Sequence, residues 1–120
     1  MADLKVVHIK DVKGARPDAF RMSWLLVAEK TVGSQNLSMG VNETYPGGEV
    51  PEHAHATEEE VNLFLAGRGM FLAEGREIPI EPGVCITIPP GISHRIVNTG
   101  DEVVRFVWIF APQLANHRNG

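Results

Sequence analysis

A chain of 120 residues, 43% of them hydrophobic, has the size of one folded domain and too much apolar content to stay disordered. Its formal net charge is −4. The arginines stand singly instead of in a basic stripe, which argues against nucleic acid or an anionic membrane surface as partner. One cysteine, Cys85, excludes an intramolecular disulfide framework, and no apolar run approaches the roughly 20 residues needed to span a bilayer. The first 13 residues mix charges through their apolar positions, unlike a signal peptide, so a cytoplasmic location is expected.

In chain order, Leu4 to Ile9 is predicted as a short strand, followed by a polar loop to Asp18. Arg21 to Glu29 is apolar and reads equally as a short helix or a strand. Leu37 to Thr44 is a predicted strand that ends at Pro46-Gly47-Gly48. Val61 to Ala66 is another, closed by Gly67-Arg68-Gly69. Met70 to Ala73 and Arg76 to Ile80 flank Glu74-Gly75, a hairpin signal. Pro82-Gly83 precedes the β-branched run Val84 to Ile88, and Pro89-Pro90-Gly91 precedes His94 to Val97. Thr99-Gly100-Asp101 makes the last turn before a long strand, Val103 to Phe110.

Short strands with turn signals every eight to twelve residues predict an all-β sandwich or barrel. The domain is expected to fill residues 1–120, with a core barrel over about 20–112. The strand at 4–9 is placed at a dimer interface, and residues 113–120 form a loose tail. Val103 to Phe110 is apolar on both faces apart from Arg105, and a second subunit is the simplest cover, so a homodimer is expected. Trp24, Met39, Phe64, Met70, Phe71 and Trp108 read as core formers, Cys85 as a small buried side chain, and His8 and His117 as surface residues.

Chemistry concentrates in two segments. In the first, His53 and His55 stand two apart, so on a strand both rings approach one point, with Glu58-Glu59-Glu60 close behind. Imidazole is the commonest neutral ligand of first-row divalent metals. In the second, Pro89-Pro90-Gly91 aims His94 at the start of a strand. Ser93 has no supporting acid, Gly67-Arg68-Gly69 lacks the third glycine of a phosphate loop, and Asn98 suits turn fixation.

The spacings Gly47, His53, His55, Glu60, Gly67 and Gly83, Pro89, Gly91, His94, Asn98 resemble the two motifs of the cupin family, in order and without a gap. The resemblance implies an all-β, single-domain, jelly-roll-like barrel holding one divalent transition metal ion (Fe, Mn, Ni, Co, Cu or Zn) through His53, His55, Glu60 and His94. Glu60 is preferred to Glu59 because it alone keeps six residues before Gly67, although Glu59 also satisfies the spacing from His55. On the parity of Glu60, Asn62 and Phe64 would line the cavity, and Arg95 is a weaker candidate as an anion clamp at its mouth.

The expected function is a metal-dependent enzyme acting on a small oxygen-rich metabolite: a hydroxy acid, diketone, phenol or sugar acid. Its chemistry would be of dioxygenase type or of Lewis-acid isomerase, lyase or decarboxylase type. The alternative is a non-catalytic module that binds a small sugar or acid. Catalytic residues are not assigned at this level, because one such site hosts unrelated reactions.

Overall fold

A computed structural model describes residues 3–118. Among the described residues there are nine strands: β1 (Arg21–Val27), β2 (Ser38–Thr44), β3 (Glu49–His53), β4 (Glu59–Ala66), β5 (Gly69–Ala73), β6 (Arg76–Ile80), β7 (Cys85–Ile88), β8 (His94–Asn98) and β9 (Val104–Ala111). They form two antiparallel sheets, one ordered β1-β2-β9-β4-β7 and the other β3-β8-β5-β6. The all-β architecture read from the turn signals is thus the observed one.

Between the sheets the inward residues alternate with outward ones, as the pleat requires. Along β9, Val104, Phe106, Trp108 and Phe110 are buried, while Arg105, Val107 and Ile109 are only partly so. Phe64 and Ile88 from the same sheet and Phe71, Ile80 and Ile96 from the facing one complete the core. Prolines fall where a missing N–H does no harm: Pro51 in β3 and Pro79 in β6 lie on the two edge strands of the smaller sheet. The β5–β6 hairpin turns on Glu74 and Gly75, both with positive φ, the geometry that matches the twist of the flanking strands. Gly67 (φ +84°) is obligatory for a second reason, since a Cβ there would run into the Val103 carbonyl.

Several expectations give way. Arg21 to Glu29 resolves into β1, paired with β2 from Arg21↔Thr44 to Val27↔Met39, and then the one-turn helix α1 (Glu29–Val32). Residues 4–9 are not a strand. Leu4 and Val6 are 83% and 93% exposed, and the stretch runs into a 3-10 turn at Ile9–Asp11. β-Branched residues favour a strand only when a neighbour supplies the ladder, and what pairs with the edge of β1 is Ala15, through two hydrogen bonds to Ser23. Residues 113–118 are not loose. Gln113 is buried, its Oε1 accepting from Glu29 N and its Nε2 donating to the Ser34 carbonyl. Lys30 Nζ donates to the Asn116 carbonyl, and Arg118 pairs with Glu29. Cys85 is exposed on the edge strand β7 instead of buried. Trp24 and Met39 are only partly buried, and their register places them on the outward face of the larger sheet.

Candidate metal centre

His53 closes β3 and His94 opens β8, and the two are direct partners in the ladder. That register puts both rings on one face, with centroids 4.3 Å apart. Glu60 comes from the other sheet, near the start of β4, where alternation turns it inward and leaves Glu59 exposed. One ligand atom from each of His53, Glu60 and His94 lies within 4.8 Å of the others. His55 is less regular than a strand pairing would make it, because β3 ends at His53. Its carbonyl accepts from Gly91 N at 2.7 Å, which ties it to the Pro-Pro-Gly turn, and its ring meets Phe110 edge-on. His55 Nε2 stands 3.9 Å from Glu60 Oε1, one step outside the tighter trio.

The hydrogen bonds fix what each group offers. His53 Nδ1 lies 2.8 Å from the Pro51 carbonyl and His94 Nδ1 3.0 Å from that of Ile92. A carbonyl only accepts, so each Nδ1 carries the proton and each neutral ring presents its Nε2 lone pair. Asn62 Nδ2 donates to Glu60 Oε2 at 3.0 Å and orients the carboxylate. Glu60 Oε1, fully buried, has no hydrogen-bond partner, although His94 Nε2 is 3.2 Å away. With neutral rings, lone pairs converge on a point that no protein donor serves. Only a proton or a cation resolves that arrangement.

The electrostatic surroundings of the three groups agree. Burial pushes the His53 pKa down, with His94 and His55 adding to the effect against the Pro51 carbonyl and Glu60. Burial disfavours charge on His94 as well, but the Glu60 carboxylate and the Ile92 carbonyl outweigh it and raise its pKa. Glu60 is lowered despite its burial by the proximity of His94 and the Asn62 amide. Two imidazole nitrogens and a carboxylate, with a third imidazole beside them, suit borderline divalent metals.

This centre opens into a cavity of about 390 Å³ between the sheets. Asn62 and Phe64, expected on its walls, share the inward face of Glu60 but are fully buried and do not line it. The interior of so small a barrel is filled at their level, with Phe64 packed on Phe106. The aromatic wall comes from β9 through Phe106, Trp108 and Phe110. Gly40 makes room for it, since a Cβ there would collide with the Trp108 indole. Arg95 does not guard the mouth, being held by Glu49. The guanidinium on the cavity wall is that of Arg21, which sequence reading took as one of the scattered arginines.

His117 is the largest departure. It is 9% exposed and lines the cavity, stacked on Trp108 with Nδ1 2.7 Å from Ser38 Oγ. Burial, Lys30 and His55 lower its pKa. Its partner in sequence terms is 79 residues away, so no local pattern announces it. Asn98 behaves as expected: its amide donates to the Thr44 and Glu102 carbonyls and accepts from Gly100 N.

The cupin domain family profile matches residues 41–110. The chain is 36% identical over 98 residues to a glucose-6-phosphate isomerase of Pyrococcus horikoshii, covering 71% of this chain and 51% of that one. It thus spans about half the length of that relative. It is 31% identical over 108 residues to the polyketide synthase CurC of Streptomyces cyaneus, covering 90% of this chain and 70% of that one. Among solved structures, the polyketide cyclase RemF of Streptomyces resistomycificus superposes with a TM-score of 0.81 at 26% identity, covering 98% of this chain and 85% of that one.

Proposed function

The chain belongs to the cupin domain family, and from that premise we propose that it is a metal-dependent enzyme acting on a small oxygen-rich metabolite by proton transfer next to a carbonyl. His53, Glu60 and His94 hold the ion, with His55 completing the set. The single observation that carries this reading is the buried, partnerless Glu60 Oε1 facing Nε2 of His94. When bound, the ion would supply Lewis-acid polarisation of a substrate oxygen.

The chain's own groups do the rest. Asn62 holds the carboxylate in position, and the Pro51 and Ile92 carbonyls fix both histidine tautomers. The β9 aromatics exclude water from the floor. His117, kept neutral by its surroundings and steadied by Ser38, is the base that takes the substrate proton. Similarity to an isomerase and to a polyketide cyclase supports this non-redox branch over dioxygenase chemistry.

Metal analysis of the purified protein tests the first half. Cobalt or zinc should bind one per chain, fail to bind His94→Ala and Glu60→Gln, and still bind Glu59→Gln. A panel of hydroxy acids, diketones, phenols and sugar acids in D₂O, followed by proton NMR, tests the second. Deuterium should enter a carbon next to a carbonyl, and His117→Gln should lose that exchange while keeping its metal. Oxygen uptake by an iron-loaded sample would instead select the dioxygenase branch, and binding without exchange would select the non-catalytic module.

No helix among the described residues is long and apolar enough to cross a membrane. The same reading places the protein in the cytoplasm as a homodimer. Its interface would be the outer face of the larger sheet, where Val107 and Leu63 are ladder partners and Leu63 and Leu65 are 38% and 48% exposed. The charges of Arg105 and Glu43 on that face are paired with each other at 3.4 Å.

A further inference from the structure

The wall contributed by β1 and β2 carries hydrogen-bond donors whose acceptors are missing. Arg21 Nε donates to Asp18 Oδ2 at 2.8 Å, while Asp18 Oδ1 is taken by Phe20 N, so the guanidinium is fixed at one corner. Its two terminal nitrogens have no hydrogen-bond partner among the described residues, and the side chain is only 17% exposed. Arg21 pairs in the ladder with Thr44, and the next inward position pairs Ser23 with Asn42. Asn42 is 7% exposed, and its Oδ1 accepts from Thr44 Oγ1 at 2.8 Å. One lone pair of that amide oxygen is thereby engaged, while its Nδ2 has no hydrogen-bond partner among the described residues; Arg21, Ser23 and Asn42 all line the cavity. Three donor groups from adjacent strands, one of them a planar fork, thus line the cavity with the Arg21 terminal nitrogens, Asn42 Nδ2 and Ser23 Oγ making no hydrogen bond to the described residues.

We propose that Arg21, Asn42 and Ser23 form a carboxylate subsite, and that the ligand is a small carboxylic acid with a flat, unsaturated or aromatic body. The inference rests on the reading of this cavity as the substrate site and names the substrate class. The head group carries a single negative charge, because the cavity has one guanidinium and no lysine on its walls, already half engaged by Asp18. A phosphate dianion would call for more. The body follows from the rest of the lining: Phe106 and Trp108 offer flat aromatic contact, and Val50 and Ile96 add aliphatic surface. A volume of about 390 Å³ limits the acid to metabolite size.

Side-chain ¹⁵N NMR on the full-length, metal-free protein tests the inference with benzoate, benzamide and phenyl phosphate as probes. Benzoate should shift the Asn42 amide and Arg21 Nε–H resonances and bind about tenfold or more tightly than benzamide, the expected size for a charge-assisted pair. Arg21→Met should erase that preference and Arg21→Lys should keep part of it, with unchanged backbone spectra reporting the fold. Equal affinity for benzoate and benzamide in the unaltered protein, shifts confined to other residues, or a preference that survives in Arg21→Met overturns the proposal. Phenyl phosphate binding more tightly than benzoate overturns the carboxylate assignment. Zinc uptake, measured separately, should be the same in all three proteins. Its absence would sink the metal reading while leaving the benzoate result decisive for this one.

Discussion

At the scale of single residues, two backbone carbonyls and one amide decide what the candidate centre can bind. The contested point is the space between His94 Nε2 and Glu60 Oε1, 3.2 Å wide, which a proton or a cation can fill. Because Glu60 raises the His94 pKa above 6.5, the proton is held at higher pH than an ordinary histidine would hold it. His53 is shifted the other way and competes only in more acid solution. Metal affinity should therefore start to weaken above pH 6.5 as pH is lowered, with about one proton displaced per ion. Calorimetric titration with zinc in buffers of different ionisation enthalpy counts that proton, and an affinity flat across neutral pH would contradict the assignment. Asn62→Leu removes the donor that holds Glu60 Oε2. Its expected cost is about 10–100-fold in metal affinity with little change in fold, measurable in the same titration.

At the scale of elements, the strands and turns were legible because prolines and glycines punctuate them. The hairpin at Glu74-Gly75 and the turn before His94 are written in local chemistry. What was not legible depends on distant partners. Val6 and Val7 look like strand residues and find no ladder, whereas Asn116 and His117 look like a frayed tail and are docked by residues 79–86 positions away. The inward face of β1 was hidden for a similar reason: Arg21, Ser23 and Leu25 alternate weakly, and only pairing with β2 shows that the cavity lies on their side. The C-terminal segment should consequently behave as part of the domain. Gln113→Ala strips the partners from Glu29 N and the Ser34 carbonyl. It should cost roughly 1–3 kcal/mol and lower the thermal midpoint by several degrees in a circular dichroism melt. A melt identical to that of the unaltered protein would mean that the segment is only resting on the sheet.

For the whole molecule, the outer face of the larger sheet and the cavity between the sheets pose separate questions. Leu63→Glu places a charge in the exposed apolar part of the outer face, opposite the face of Glu60 and Asn62. Light scattering should show the unaltered protein at twice the mass of one chain and the variant at a single mass, with metal uptake retained. A monomeric unaltered protein at micromolar concentration would remove the dimer. The candidate ligands themselves straddle the two sheets, with His53 and His94 on the smaller and Glu60 on the larger. An ion held by all three is a rivet, and unfolding cannot separate the sheets without releasing it. Heat resistance should then be set by the free metal in solution: at a hundredfold excess over the dissociation constant, the gain is about 2.7 kcal/mol. A chelator would return the protein to its bare melting temperature, so a plain thermal scan against zinc concentration reads the occupancy of the centre with no substrate in hand.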